Sequence, residues 1–441
     1  MLSIKEKISY GLGDTASNII FQTVMMFLLI FYTDVVGLSP AWVGSLFLAV
    51  RVIDAITDPL MGSWADRTQT RWGQFRPYLL WLAIPFGIVS VITFITPDFS
   101  ANGKLLYAAV TYILLMLVYT AINIPYSALG GVITASPSER VSVQSYRFVF
   151  GMLGGLIVAA LTLPLVEYFG QGDTAKGYQL TMTAMSAFGV ILFLLCFYGT
   201  RERVHQPRAK QAPLKEDIKL LWQNDQCRIL SLAGLFLLTG QVLRATLAVY
   251  YVKYYLSVPE QITNFMTLGM IGSILGCALS QQLAKRMCKI RAYICLQFIA
   301  ACICVVSYWV RPEQLELAFA LFFLWSFFLQ MATPLLWAKM VDTIDYGHWK
   351  TGIRLNGLVF SSVVFFIKLG VAFGGAFAGW LLAYYGYQAG VEQTNTAKHG
   401  IQISFTLFPA IGSFLVAWVM RWYILDNKKV IDIHLELKTS H

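Results

Sequence analysis

Histidine, cysteine and charge are all scarce in this chain. Its five histidines (His205, His348, His399, His434 and His441) all lie outside the apolar runs. Neither a His-Glu-x-x-His helix nor a Gly-x-Ser-x-Gly elbow is present, so the sequence holds no catalytic constellation and reads as a non-enzyme. The seven cysteines (Cys196, Cys227, Cys277, Cys288, Cys295, Cys302 and Cys304) fall in apolar stretches or beside basic loops, where disulfides are not expected. Cys302 and Cys304 have metal-like spacing, but no histidine stands near them, and they read as small packing residues. Charged residues make up only 13% of the chain. That is too little to solubilise a globular surface, and no segment between the apolar runs is long enough to fold a core of its own.

What is abundant is apolar. Hydrophobic residues reach 57% and aromatics 15%, with a mean hydropathy of +0.63. About 20 apolar residues cross a bilayer as a helix. Twelve such runs can be drawn: 15–34, 41–64, 77–97, 104–130, 143–167, 178–199, 229–256, 260–284, 291–310, 315–342, 356–386 and 401–424. The fold class is therefore an all-α integral membrane protein with twelve transmembrane helices. No small-residue cleavage site follows the first run, which is expected to be retained. Of the Lys and Arg residues, only Lys104, Lys176, Arg311 and Lys398 fall in the odd-numbered loops. This positive-inside bias places both termini in the cytoplasm. It also explains the net charge of +10 without a nucleic-acid partner. A basic linker at 201–228 divides a six-helix half, 1–200, from a second, 229–424, with a cytoplasmic tail at 425–441. Gly62-x-x-x-Asp66-Arg67-x-x-x-Arg71 follows the second run and Lys285-Arg286-x-x-Lys289-x-Arg291 follows the eighth. That weak duplication fits a repeat-built carrier with its ligand near the midplane.

Charge inside the runs is where chemistry is expected. Arg51, Asp54 and Asp58 share one narrow arc of a helix at about 100° per residue. An aspartate at mid-bilayer costs about 2.5–3.5 kcal/mol, so two on one face demand a role. Paired carboxylates bind a hard monovalent cation such as Na⁺ or exchange a proton, and Thr57 and Thr120 would add neutral oxygens. The competing reading is a closed network in which Arg51 and Lys368 cancel both charges. Thr120, Asn123 and Ser127 share a face of the fourth run, with Tyr119 and Tyr126 adjacent. Asn18 and Gln22 extend this polar wall from the first run. Hydroxyls, amides and aromatic faces suit a sugar; the plainer alternative is hydrogen bonding between helices. Arg147, Trp337 and Lys368 are further ligand candidates. Arg244, inside the seventh run, is a charge costly enough to be a functional suspect; Lys253 reads as snorkelling, and Lys339 reads as an i, i+3 ion pair with Asp342. Pro59, Pro125 and Pro334 free carbonyls inside their helices, at Ala55, Ala121 and Gln330.

Several segments resemble one family specifically. Lys7–Asp14 (KISYGLGD), Tyr32–Gly37, Arg51–Pro59, Arg71–Pro77 (RWGQFRP), Asn123–Tyr126 (NIPY) and Asp345–Gly347 through Gly352 resemble the glycoside–pentoside–hexuronide:cation symporters. That family includes the melibiose permease and belongs to the major facilitator superfamily. The resemblance spans nearly the whole chain. It implies two pseudo-symmetric six-helix bundles and sugar symport with Na⁺ or H⁺ by alternating access, without a cofactor. It also implies a monomer in the bacterial inner membrane whose partners are a small sugar, the coupling cation and lipids. By the same resemblance Asp54 and Asp58 are cation carboxylates, Thr120 a nearby hydroxyl, and Arg147 and Lys368 basic residues tied to sugar or coupling. The cytoplasmic Asp66, Arg67, Arg71, Arg76 and Arg140 are expected to form a latch. Asn18 and Asn123 replace two sugar-binding aspartates of the melibiose permease, Ser127 a tryptophan and Thr57 an asparagine. These departures shift the expected substrate to a pentoside such as a xyloside or short xylo-oligosaccharide. A uronide or sugar acid is the alternative, and a lysolipid carrier the alternative of another class.

Overall fold

The computed structural model describes residues 2–134, 137–203, 223–351 and 356–439. Among these residues thirteen α-helices form and no strand does. The first six are α1 (Ile4–Thr23), α2 (Pro40–Arg67), α3 (Arg76–Thr93), α4 (Ala101–Val132), α5 (Pro137–Gly170) and α6 (Thr174–Gly199). The rest are α7 (Asp225–Tyr250), α8 (Ile262–Arg286), α9 (Lys289–Ser307), α10 (Leu315–Thr351), α11 (Asn356–Tyr384), α12 (Asn395–Val419) and α13 (Asn427–Thr439). Their starts follow ordinary capping chemistry. Ser3, Ser100, Asp173, Asn224 and Thr394 each accept a first-turn N–H, and Pro40 opens α2. The helices α4 and α10 continue through Pro125 and Pro334.

Eleven of these helices are long and apolar enough to cross a bilayer. The twelfth run drawn from sequence belongs to α1, whose helical part carries Asp14, Asn18 and Gln22 and is the most polar of the set. From Thr23 the chain stays helical through wide π turns at Val24–Leu28 and Phe31–Val35.

The chain divides into two compact units. The first comprises Met1–Arg208 with Gln388–Val391, the second Ala209–Tyr387 with Glu392–His441. The division falls inside the linker drawn at 201–228. Within the tail drawn at 425–441, helix α13 packs on α10, where Trp349 Nε1 donates to Glu436 Oε2 at 2.5 Å.

Each unit, taken alone, has the same internal wiring. In the first, α1 packs on α5 and α6, α3 on α4 and α6, and α2 on α4. In the second, α7 packs on α11 and α12, α9 on α10 and α12, and α8 on α10. Adding six to each helix number turns one set into the other. The repeat extends to single hydrogen bonds. After α1, Val36 N–H donates to Phe31 O and Leu38 N–H to Tyr32 O; after α7, Leu256 N–H donates to Tyr251 O and Val258 N–H to Val252 O. The turn needs a positive φ, supplied by Gly37 (83°) in one half and by Ser257 (58°) in the other.

Candidate functional site

The polar residues of the first unit gather on α1, α2, α4 and α5. On α2 the exposed apolar stripe is Val52, Ile56, Leu60 and Trp64. At helical spacing this stripe lies opposite the arc of Arg51, Asp54 and Asp58, so lipid-compatible and charged faces are separated on one helix. Arg51 Nη1 donates to Asp54 Oδ2 at 2.8 Å, and both residues are buried, Asp54 to 2% exposure. The Arg51 guanidinium also lies over Phe21, which stacks on Tyr119. Asp54 Oδ1 and Arg51 Nη2 have no hydrogen-bond partner among the described residues. A buried pair with an unfilled lone pair has capacity for a further positive ligand.

Asp58, one turn on and half-buried, is treated differently. Thr120 Oγ1 on α4 donates to Asp58 Oδ1 at 3.0 Å. Thr57 Oγ1 bonds its own helix, donating to Asp54 O at 3.5 Å. Asp54 thus accepts from a guanidinium and Asp58 accepts from a neutral hydroxyl.

The ligand wall partly assembles. Asn123 Nδ2 donates to Tyr119 Oη at 3.1 Å, and Ser17 Oγ donates to Asn123 Oδ1 at 3.5 Å. Asn18, Gln22, Tyr119, Asn123 and Arg147 are half-buried, the state suited to residues that meet a ligand. Tyr126 is not among them. It is fully buried, stacks on Tyr10 with ring centroids 4.9 Å apart, and donates from Oη to Tyr10 O at 2.8 Å. Its ring lies against the Arg147 guanidinium, 5.2 Å away. Trp337 and Lys368 stand half-buried on α10 and α11 of the second unit.

Arg147 reaches inward. Its Nε donates to Asp14 Oδ1 at 2.9 Å and its Nη2 to Ser127 Oγ at 3.1 Å. Asp14 was not in the wall read from sequence. It lies just before the first apolar run as drawn, and its partner is 133 residues away. An aspartate spaced one turn before Asn18 was the available signal.

The Lys339 ammonium sits 4.8 Å over the Tyr423 ring and makes no hydrogen bond among the described residues; Asp342, three residues on, is the opposite charge that acts on it. The aromatic face adds negative potential to that of the carboxylate. At the cytoplasmic end of the first unit, Arg76 binds backbone oxygens, Trp72 O at 3.2 Å and Phe197 O at 2.7 Å. Arg71 lies over Trp72. At the same end the Glu202 carboxylate accepts from the N–H groups of Gln74, Phe75 and Arg76 at 2.7–2.9 Å. The side chains of Asp66 and Arg140 lie outside the described residues. In the second unit Arg244 is 1% exposed, enclosed by Trp325 and Phe405, and donates to Cys304 Sγ and Ser307 Oγ. Cys304 is thus a polar partner as well as a packing residue.

Comparison with known proteins gives consistent results. The family model described as MFS/sugar transport protein matches residues 9–427. A putative glycoside/cation symporter of Escherichia coli (strain K12) is 44% identical over 99% of this chain and 95% of its own length. The isoprimeverose transporter of Lactiplantibacillus pentosus is 33% identical over 97% of this chain and 90% of its own. Among solved structures, a bacterial homolog of the human lysosomal transporter Spinster, inward-facing and unoccupied, superposes with a TM-score of 0.70 at 13% identity. It covers 98% of this chain and 99% of its own. That likeness establishes the fold alone.

Proposed function

Since the chain belongs to the MFS/sugar transport proteins, the glycoside–pentoside–hexuronide:cation symporters of the major facilitator superfamily, we propose that it imports a pentoside together with one monovalent cation. The substrate is an uncharged xyloside or short xylo-oligosaccharide, and the cation, Na⁺ or H⁺, is taken at Asp54 and Asp58.

The observation that carries this reading is the pair of carboxylates one turn apart on α2, where Asp54 accepts from Arg51 and the half-buried Asp58 accepts from the Thr120 hydroxyl. Asp58 is the member whose charge exchanges between proton, metal cation and the empty state; Asp54 is the fixed charge that makes the place attractive to a cation. Thr120 and Thr57 supply neutral oxygens at the same level. The sugar is held by amide and hydroxyl groups, Asn18, Gln22, Tyr119 and Asn123, with Arg147 at the edge of the set. Trp337 and Lys368 complete the expected ligand set from the second unit. The relative from Lactiplantibacillus pentosus bears the name of a pentoside, isoprimeverose. Cation binding raises sugar affinity and sugar raises cation affinity by the same factor. The protein works as a monomer in the inner membrane with both termini cytoplasmic.

The test is uptake of labelled xyloside, glucuronide and galactoside into vesicles, with Na⁺ and proton gradients imposed separately. Accumulation of the xyloside with one gradient is the expected result. Accumulation of none of the three with either gradient, by folded protein, overturns the reading.

A further inference from the structure

The carboxylate of Asp14 is 8% exposed yet makes contact with two residues of the ligand wall. Its Oδ1 accepts from Arg147 Nε at 2.9 Å, and its Oδ2 accepts from Asn18 Nδ2 at 3.3 Å. Asn18 Nδ2 also donates to Asp14 O at 2.9 Å. With its amine end held this way, Asn18 is left to present its carbonyl oxygen, an acceptor for hydroxyl donors.

The crossing of α1 and α5 is shaped around this carboxylate. A β-carbon at Gly151 would stand 2.2 Å from Asp14 Oδ2, and one at Gly154 would stand 2.9 Å from Thr15 O. Only residues without side chains allow α5 to approach closely enough for Arg147 to reach Asp14. The guanidinium is then fixed on three sides, by Asp14, by Ser127 Oγ and by the Tyr126 ring.

The electrostatic consequence bears on the ligand. A guanidinium already bound to one carboxylate has little attraction left for a second. A sugar bearing a carboxylate would bring a new negative charge to a pair that is already neutral. An uncharged glycoside meets no such repulsion, and it can donate to Asn18 and accept from the donors of Arg147 that point away from Asp14.

We infer that Asp14 is a positioning residue that sets the charge class of the sugar: it occupies Arg147 and orients Asn18, which tunes the site for uncharged glycosides and against acidic ones. This rests on the sugar-symporter reading above. Removing the charge at position 14 frees Arg147 to take a sugar carboxylate.

The experiment compares two ligands that differ by one group, methyl β-xyloside and methyl β-glucuronide, which adds a carboxylate at C5 of the same ring. Affinities are measured by calorimetry on the purified full-length protein. Wild type is expected to favour the xyloside. In Asp14→Asn the xyloside-to-glucuronide preference should fall at least tenfold, through a gain for the glucuronide, and Asp14→Glu should retain the wild-type preference. Should Asp14→Asn not fold, Gly151→Ala, which displaces the carboxylate without removing it, must shift the preference the same way. The double variant Asp14→Asn/Arg147→Gln should reject the glucuronide again. A folded Asp14→Asn or Gly151→Ala with unchanged preference overturns this inference alone. A wild type that binds neither sugar overturns the symporter reading and this inference with it.

Discussion

At the scale of single residues, the decisive facts are which groups a buried charge has for partners. Asp54 and Asp58 are equivalent in the sequence: same residue, same helix face, one turn apart. In the fold Asp54 accepts from the Arg51 guanidinium and Asp58 accepts from the Thr120 hydroxyl. A hydrogen bond to a charged group is worth about 1.5–3 kcal/mol, so losing the Thr120 donor is a sizeable perturbation. Thr120→Val should raise the cation concentration needed for half-maximal sugar binding by about tenfold, with little change in maximal binding at saturating cation; a cation titration of sugar binding checks this. The arc of Arg51, Asp54 and Asp58 was legible because helical periodicity alone brings those residues together. Asp14 was not, since its meaning depends on Arg147, and a helix crossing cannot be read from one helix. The burial of Tyr126 against Tyr10 was equally illegible, because a stacking partner on another helix leaves no mark at position 126.

At the scale of elements, helix positions followed from apolar length, while helix ends did not. The π turns after α1 and α7 carry no sequence signature beyond aromatic and β-branched residues, yet they recur with matching hydrogen bonds. In the cytoplasmic loop before α3, Glu202 fills the unsatisfied N–H groups at the start of α3, where the helix dipole favours negative charge, a contact from 128 residues away that the loop's own sequence does not announce. Glu6 plays a similar part nearby, accepting from Arg203 at 2.7 and 2.9 Å and from Arg201 N–H at 3.1 Å. The hydrogen bonds that Arg203 donates to Glu6 raise its guanidinium above the ordinary arginine pKa. Glu202→Gln removes the charge from three backbone contacts and should cost about 2 kcal/mol, read as a lower thermal unfolding temperature of the detergent-purified protein. Sugar selectivity should not change, because Glu202 touches no residue of the ligand wall.

At the scale of the whole chain, the duplication was faint in sequence and plain in structure. Two basic loops hinted at it; five helix-packing pairs that map onto one another by adding six, together with paired turns at Gly37 and Ser257, establish it. The halves share wiring but not chemistry. The first holds the carboxylates and most of the expected ligand wall. The second buries a lone guanidinium, Arg244, among aromatic rings with a thiol and a hydroxyl for partners. A symporter needs its coupling charge where sugar and cation sense each other, and Asp58 lies one helical turn from the fixed Arg51–Asp54 pair. The proposed coupling residue is Asp58. It is tested most directly by Asp58→Asn in vesicles, measuring both gradient-driven accumulation of a xyloside and its exchange in the absence of a gradient. Loss of accumulation with exchange retained is the expected result; undiminished accumulation against a gradient by Asp58→Asn would contradict the account.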